Sequence, residues 1–306
     1  MIAFPHDPPE PDWNMPATNG PFRIPAPIGE PLWWDDPAQA DILDHFILSR
    51  RALGHTYEGG LMIVGEPGSG KTQSGFEAVK RVNAEHGLSL RVTKMDCATV
   101  TDPQKWFGRR EVDANGTRYH SSDFVIAVER GDVILLDDVS RLHPHLHNPV
   151  MAFLDGSNAV ALSDLNLTIN RHPDTVFLAT ANLVGGGTYR MDPAMRERFP
   201  VTIERPWPPA DIERRILSTR TSVDDKAAAN LVRIATAARV MRERGDLRAS
   251  ISTRTLIAAS WWVAAGMSET AALEITAIPL FDGDATGLTG GDTDRTRIRA
   301  LIAGKG

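Results

Sequence analysis

One short segment restricts the fold of this chain more than any other, because it combines a strand, a glycine-rich turn and a helix. The apolar residues 61–64 precede it, and a helical pattern at residues 73–85 follows it. The segment fits the pattern G-x-x-x-x-G-K-[ST] and consists of Gly65, Glu66, Pro67, Gly68, Ser69, Gly70, Lys71 and Thr72. Backbone amides of such a turn and the N-terminus of the helix can surround phosphate oxygens. We therefore predict a nucleotide site formed by these residues, in which Lys71 contacts the β- and γ-phosphates and Thr72 binds Mg²⁺.

A second motif supplies the acidic groups that such a site needs. The apolar residues 133–136 lead directly into Asp137 and Asp138, which is typical of a buried strand that ends in two carboxylates. Phosphate-loop proteins use one acidic group to hold the metal ion and another group to orient or deprotonate the attacking water. We therefore expect Asp137 to bind Mg²⁺, directly or through water, and Asp138 to act on the water.

The remaining strand and helix patterns predict the fold class and three parts of the chain. Further strands are expected at residues 90–94, 175–179 and 201–204, and the helical patterns between several of them favour a parallel α/β sheet flanked by helices. Helices are expected at residues 37–53, 210–219, 224–244, 253–265, 268–276 and 294–302. We predict a proline-rich acidic arm, an α/β core and an all-helical lid with a C-terminal extension, at residues 1–35, 36–205 and 206–306.

The composition indicates a globular body that follows an acidic segment. The chain has 306 residues, of which 42% are hydrophobic and 24% charged, and its net charge is −6. Residues 1–40 hold six carboxylates, one arginine and ten of the 21 prolines, so the rest of the chain is nearly neutral. A near-neutral body disfavours strong charge-driven binding of nucleic acid. The arm also carries three tryptophans, and we expect it either to pack as a strap on the body or a neighbouring subunit or to remain a free tail.

Cysteine content and hydropathy bear on the compartment. Cys97 is the single cysteine, so an internal disulfide cannot form, and we expect a structural thiol in a reducing cytoplasm. No run reaches the roughly 18 apolar residues that a membrane span needs, and residues 1–13 lack the basic and apolar regions of a secretory signal. We therefore expect a cytoplasmic protein without a membrane partner.

Taken in order, these motifs resemble those of AAA+ ATPases. Within that family they are most similar to the MoxR-like branch, which includes the CbbQ/NorQ group and the ATPase subunit of cobalt chelatase. The resemblance extends over about residues 37–275. Residues 154–172 are similar to the hairpin insert of that branch. Residues 176–182 are similar to its sensor-1 strand, so the resemblance implies that Asn182 contacts the γ-phosphate or the attacking water.

The resemblance also implies roles for three arginines. The segment at residues 191–199 is similar to the one from which an arginine finger enters the neighbouring subunit's nucleotide site, so either Arg196 or Arg198 would be that finger. A planar cation can stabilise the charge that develops on a transferring phosphoryl group. Arg254, at the start of a lid helix, matches the family's sensor 2.

The resemblance implies an ATPase that uses Mg²⁺ and ATP, forms a homo-oligomeric ring of six subunits, and remodels or activates a protein partner. MoxR-like relatives often act on proteins with a von Willebrand A domain, so such a client is expected here. The chain departs from the family at Asp138, where glutamate is usual. Because aspartate is one methylene shorter, we expect hydrolysis to be slow unless the loop compensates.

Two other functions and one local alternative stay open at this point. The same core serves DNA-directed motors and loaders, which the nearly neutral body argues against, and a nucleotide-switched binding module would hydrolyse ATP very little. Trp106, Phe107 and Gly108 resemble a pore loop that grips a polypeptide. The alternative for these three residues is a hydrophobic anchor packed beneath the loop.

Overall fold

The computed structural model describes residues 35–102, 104–113, 116–162, 167–182, 191–281 and 293–304. The expected arm lies outside the described residues except for its last residue, Asp35. The strands within the described part are β1 (Leu61–Gly65), β2 (Val92–Asp96), β3 (Gly108–Asp113), β4 (Gly116–Ser121), β5 (Val133–Asp137), β6 (Ala159–Leu162), β7 (Leu167–Asn170), β8 (Val176–Asn182) and β9 (Val201–Arg205). The helices are α1 (Pro37–Leu53), α2 (Lys71–His86), α3 (Gln104–Phe107), α4 (Asp123–Arg130), α5 (Asn148–Leu154), α6 (Pro193–Glu197), α7 (Ala210–Thr221), α8 (Asp225–Glu243), α9 (Thr253–Ala264), α10 (Glu269–Thr276) and α11 (Asp294–Ile302).

Five strands form a parallel sheet in the order β2-β5-β8-β1-β9. Gly65 at the end of β1 lies opposite Asn182 of β8 on one side and Arg205 of β9 on the other. Asp96 of β2 lies opposite Asp137 of β5. The carboxyl ends of the strands therefore meet at one edge, which is where parallel α/β sheets place their ligands. The predicted parallel α/β fold is confirmed.

The sheet is covered on both faces, which explains why its strands are continuous apolar runs. Leu61, Ile63 and Leu135 pack in a core with α1 and α2 on one face. On the other face, a second core contains Phe124 of α4 and Phe177 of β8. Cys97 also lies in this second core, where burial raises the pKa of its thiol, in agreement with the expected structural role.

Strand β2 lies two residues further along the chain than the sequence indicates, at 92–96 instead of 90–94. The displacement has a local cause at Asn83 of α2. Its side-chain amide donates to the carbonyl of Leu90 at 3.0 Å, and its side-chain oxygen accepts from the Leu90 amide at 2.8 Å. Both backbone groups of Leu90 are thus used by a side chain, so Leu90 cannot join the sheet ladder.

Two antiparallel hairpins lie outside the five-stranded sheet, β3–β4 and β6–β7. The second lies within residues 154–172, as expected for the insert. At the base of the first, Trp106 is fully buried and Phe107 is 7% exposed. Trp106 packs edge-on against Phe124 with ring centroids 4.8 Å apart. The anchor alternative is therefore confirmed for these aromatic side chains, and the gripping alternative is wrong because neither side chain can reach a partner.

Contacts between Cα atoms divide the chain into two compact units. The described residues up to Pro209, together with Ser252–Arg254, form the sheet-containing unit. Helices α7, α8, α10 and α11 and the rest of α9 form a helical unit around their own apolar core. Within the helical unit, Arg239 donates two hydrogen bonds to the buried Glu213, at 2.9 and 2.8 Å, and a third to the Ile251 carbonyl at 3.0 Å.

Candidate nucleotide site

The glycine-rich segment connects β1 to α2 at the carboxyl edge of the sheet. Gly68 and Gly70 have φ angles of 79° and 94°, a left-handed conformation that side chains disfavour. Helix α2 begins at Lys71, and no side chain of the described residues caps its N-terminus. The first amides of this 16-residue helix are thus open to an external acceptor, and the helix dipole favours an anion there. This backbone can bind phosphate.

Lys71 lies beneath the loop and is only 6% exposed. Its Nζ donates to the carbonyls of Gly65 and Glu66, at 3.1 and 2.9 Å, and to Oδ1 of Asn182 at 2.9 Å. Burial lowers the pKa of Lys71 to about 8, although the nearby carboxylates of Asp138 and Asp137 favour its charged form. A buried ammonium with three acceptors in reach is positioned to exchange some of them for phosphate oxygens.

Asp137, at the end of β5, accepts hydrogen bonds from three side chains. Thr72 Oγ1 donates to its Oδ1 at 2.6 Å and Thr180 Oγ1 donates to the same oxygen at 2.8 Å. Lys94 Nζ lies 3.1 Å from Oδ2. Burial alone would raise the pKa of Asp137, but these hydrogen bonds outweigh burial and the pKa is lowered. The group is therefore a carboxylate at neutral pH, which a metal ligand must be.

Asp138 follows in a left-handed conformation, with φ 54° and ψ 47°. Its amide donates to Thr180 Oγ1 at 2.9 Å, and its Oδ1 accepts from Asn182 Nδ2 at 3.0 Å. Asn182 thus contacts both Lys71 and Asp138. Because Asn182 lies opposite Gly65 in the sheet, the register brings these three predicted residues together.

The three predicted arginines have different surroundings. Arg254 belongs to the sheet-containing unit, and its charge contributes to the lowered pKa of Lys71. Arg198 is half-buried, with Nη1 donating to the Ala194 carbonyl at 3.0 Å and Nη2 lying 3.7 Å from a carboxylate oxygen of Asp155. Arg196 is exposed, and within the described residues its guanidinium makes no hydrogen bond or ion pair.

Sequence reasoning missed two residues of this site, Thr180 and Lys94. Thr180 connects the two aspartates, and Lys94 pairs with the first of them. Both lie in or beside predicted strands, and alignment of the carboxyl ends of neighbouring parallel strands could have placed them near Asp137. The sequence does not specify that alignment, since it depends on the order of the strands.

The oxygen donors of Thr72 and Asp137 suit Mg²⁺, which prefers oxygen ligands and is held by one or two protein groups together with phosphate oxygens. Thr72 Oγ1 and Asp137 Oδ1 are 2.6 Å apart, so both oxygens are close enough to bind the same ion. The chemistry of this donor set fits the metal that the phosphate loop implies.

Comparison with protein families gives two matches in this chain. Residues 60–199 match the AAA domain of the dynein-related subfamily, and residues 213–286 match the CbbQ/NirQ/NorQ C-terminal domain. Together the two matches cover more than half of the chain. The chain belongs to the AAA+ ATPases. The first match contains the phosphate loop and both aspartates, and the second begins in α7 and continues beyond α10.

Three curated relatives are similar to this chain over most of their length. The candidate chaperone BssE of Thauera aromatica is 26% identical over 79% of this chain and 81% of its own length. The denitrification regulatory protein NirQ of Stutzerimonas stutzeri is 28% identical over 87% of this chain and 92% of its own. NirQ of Pseudomonas aeruginosa is 26% identical over 74% and 85%. This AAA+ protein is therefore of the CbbQ/NirQ type, and the expected resemblance is confirmed.

No helix in the described part of the chain has the length and hydropathy of a membrane span.

Proposed function

We propose that this AAA+ protein binds and hydrolyses ATP with Mg²⁺ and uses the energy to remodel or activate a protein partner. The observation that carries the proposal is the hydrogen-bonded set Lys71, Thr72, Asp137, Asp138 and Asn182, which joins the phosphate loop to the ends of two neighbouring strands. We also propose that the chain is divided as the sequence predicts, into an arm, an α/β core and a lid, and that the protein is cytoplasmic, in keeping with its single cysteine.

In this proposal each side chain has a separate task. The loop amides and Lys71 bind the phosphates, and Thr72 and Asp137 hold Mg²⁺, which neutralises charge on the phosphate oxygens when bound. Asp138 accepts the proton of the attacking water, and Asn182, which already contacts Asp138 and Lys71, orients that water. Arg254 contributes a positive charge at the loop as sensor 2.

Arg196 is the better candidate for an arginine finger in a neighbouring site. A finger must be free to leave its own subunit's surface, and Arg196 is exposed on α6 without an ionic partner among the described residues. Arg198 contacts Asp155 and the Ala194 carbonyl within its own chain. We therefore assign the finger to Arg196 and propose a homo-oligomeric ring, with six subunits as in the family.

The partner that we propose is a protein. One relative, BssE, is named as a chaperone, a name that belongs to that protein and favours a protein client over DNA for this one. A client with a von Willebrand A domain is the specific candidate. A nucleotide-switched module with little hydrolysis is the second candidate, because Asp138 is short and its carboxylate already accepts a hydrogen bond from Asn182.

Phosphate release from ATP tests the enzyme, with Lys71→Ala and Asp138→Asn as variants. We expect turnover in the wild type, loss of ATP binding in Lys71→Ala, and retained binding with at least roughly 100-fold slower turnover in Asp138→Asn. Arg130 is exposed and lies at the end of α4, before the start of β5, whereas the site aspartates lie at the other end of that strand. Arg130→Ala therefore serves as the control, with wild-type turnover expected. If the wild type binds ATP without hydrolysing it, the enzyme is excluded and the switched module is supported.

A mixing experiment tests the ring and the finger together. Arg196→Ala subunits keep Asp138, and Asp138→Asn subunits keep Arg196, so a mixed ring contains some intact composite sites. We expect each variant alone to be inactive and the mixture to recover part of the turnover. Recovery with Arg198→Ala in place of Arg196→Ala would reassign the finger, and a monomer by light scattering in the presence of ATP would exclude the ring.

A further inference from the structure

A buried arginine at the end of β9 contacts the backbone of the phosphate loop. Arg205 is the last residue of β9, lies opposite Gly65 in the sheet and is 3% exposed. Its Nε donates a hydrogen bond of 2.9 Å to the carbonyl of Ser69, a central residue of the loop. In a trans peptide the carbonyl and the following N–H point in opposite directions. The bond from Arg205 to Ser69 therefore turns the Gly70 amide away from Arg205 and towards the open side of the loop.

The carboxylate of Asp35 pairs with that arginine. Asp35 accepts a hydrogen bond from Arg205 Nη1, and its side chain is 6% exposed. Burial lowers the pKa of Arg205 below its usual value, and the nearby Asp35 offsets part of this effect. The carboxylate therefore favours the charged form of the guanidinium. A buried cation without such a partner is strongly destabilised.

Asp35 also binds the helix that follows the phosphate loop. Ser74 Oγ donates to its Oδ1 at 2.8 Å and Arg81 Nη1 donates to its Oδ2 at 2.8 Å, both from α2. Arg81 in turn forms a two-bond pair with Asp44 of α1, with both distances 2.9 Å. One carboxylate at the start of α1 thus connects the end of β9 with the helix whose N-terminus faces the phosphates.

We propose that Arg205 and Asp35 are positioning residues for phosphate binding: Arg205 orients the Ser69–Gly70 peptide so that its amide faces the nucleotide, and Asp35 holds Arg205 in place. The inference rests on the proposed nucleotide site and extends it to residues that no phosphate contacts. It also connects the segment before α1 to nucleotide affinity. Asp35 is 30 residues before Gly65 in the chain, yet it contacts Arg205 and Ser74 beside the loop.

Binding of a fluorescent ATP analogue to the full-length protein tests the proposal. We expect Arg205→Met to weaken binding roughly 10-fold or more, the effect of losing a hydrogen bond from a charged donor. Asp35→Asn should weaken binding in the same direction. Because Asp35 acts through Arg205, the double variant should be no weaker than Arg205→Met alone. Inorganic triphosphate, used as a competitor, should lose affinity by the same factor as the ATP analogue, because the defect lies at the phosphates.

A matched control separates positioning from general stability. Arg51 of α1 pairs with Asp174 at 2.6 Å in the same unit, and its hydrogen bonds go to Asp174 and to the Gly131 carbonyl. Arg51→Met should lower the thermal midpoint and leave nucleotide affinity unchanged. If Arg205→Met binds as tightly as the wild type, or if Arg51→Met loses as much affinity, the proposal is overturned.

Two further outcomes, misfolding of a variant and failure of the wild type to bind, have a defined meaning for the proposal. If Arg205→Met fails to fold, the test uses two other variants, Arg205→Lys and Asp35→Asn. Arg205→Lys keeps the positive charge beside Asp35. Wild-type affinity in both variants would overturn the proposal. If the wild-type protein itself does not bind the ATP analogue, the proposed function fails, which is distinct from a wild type that binds and variants that bind equally well.

Discussion

Asp138 adopts a backbone conformation that accounts for its identity. Its φ of 54° and ψ of 47° lie in the left-handed region, where aspartate and asparagine occur far more often than other residues with a Cβ. Glutamate, which is usual in the family at this position, lacks the short side chain that makes this conformation tolerable. The departure from the family pattern is therefore consistent with the local geometry of the turn after β5.

Asp138→Glu should consequently cost stability. We expect it to lower the free energy of unfolding by about 1 kcal/mol, the order of the left-handed penalty for an ordinary side chain. Asp138→Asn should stay near the wild type, because asparagine tolerates the same conformation. Urea denaturation of the three proteins measures this, and an Asp138→Glu variant that is as stable as the wild type would contradict the explanation.

Thr180 is the second residue whose effect can be isolated. It is fully buried, donates to Asp137 and accepts from the Asp138 amide. Thr180→Val keeps the shape, leaves the Asp138 amide without its acceptor and removes one of the three hydrogen bonds to Asp137. We therefore expect a loss of about 1–3 kcal/mol in stability together with slower ATP turnover.

The matched control for Thr180 is Thr175, immediately before the same strand. Thr175 is also fully buried, and its hydroxyl donates to the Val128 carbonyl at 2.8 Å. Thr175→Val should show a similar loss of stability, measured by denaturation, with turnover per folded molecule unchanged. Equal turnover in the two valine variants would mean that Thr180 has only a structural role.

At the level of elements, Trp106 shows how a projecting hairpin is attached to a core. The ring is fully buried against Phe124, while Ser122 Oγ donates to the Trp106 carbonyl and Tyr119 OH to the Phe107 carbonyl. Gly108 begins the hairpin with φ 97°, and a Cβ there would lie 2.0 Å from the His120 carbonyl oxygen. The base of the hairpin is therefore fixed from both strands.

Trp106→Ala should destabilise the protein by about 3–5 kcal/mol, as expected for removal of a buried tryptophan. Trp106→Phe should cost much less, since it keeps an aromatic ring and removes an indole Nε1 that has no hydrogen-bond partner among the residues that the structure describes. Thermal or urea unfolding of both variants checks this order. A Trp106→Ala variant with wild-type stability would revive the gripping alternative.

The helices and strands were largely predictable because their signals are local. The proline at position 37 and the apolar spacing that follows predict α1, which has the expected bounds of 37–53, and Asp36 caps it through the amides of Ala38 and Gln39. The bond from Arg205 to Asp35 was not predictable, because it joins residues 170 positions apart. Such a contact follows from strand order and register, which the apolar pattern of individual strands does not specify.

On the scale of the whole molecule, the structure changes the interpretation of the acidic N-terminal region. Asp35 and Asp36 count towards its charge, yet Asp35 pairs with Arg205 and Arg81, and Asp36 caps α1. Both residues belong to the sheet-containing unit. The excess negative charge of the preceding residues is correspondingly smaller than the composition of residues 1–40 suggests.

Two truncations that differ by one residue test this boundary. A chain that starts at Asp35, after an initiating methionine, should bind ATP like the full-length protein, because the carboxylate that holds Arg205 is retained. A chain that starts at Asp36 should lose affinity to about the level of Arg205→Met. Titration with the fluorescent ATP analogue measures both, and equal affinities would show that Asp35 has no part in binding.

The order of the sheet also has a consequence during synthesis. Strand β1 pairs in the described sheet with β8 and β9, and about 110 residues separate its end at Gly65 from the start of β8 at Val176. At about 5–20 residues per second, a ribosome needs roughly 6 to 20 s to supply the first partner. Throughout that interval an apolar strand remains without a neighbour on the nascent chain. Fragments that end before β8 carry the same unpaired strand permanently, so we expect them to aggregate.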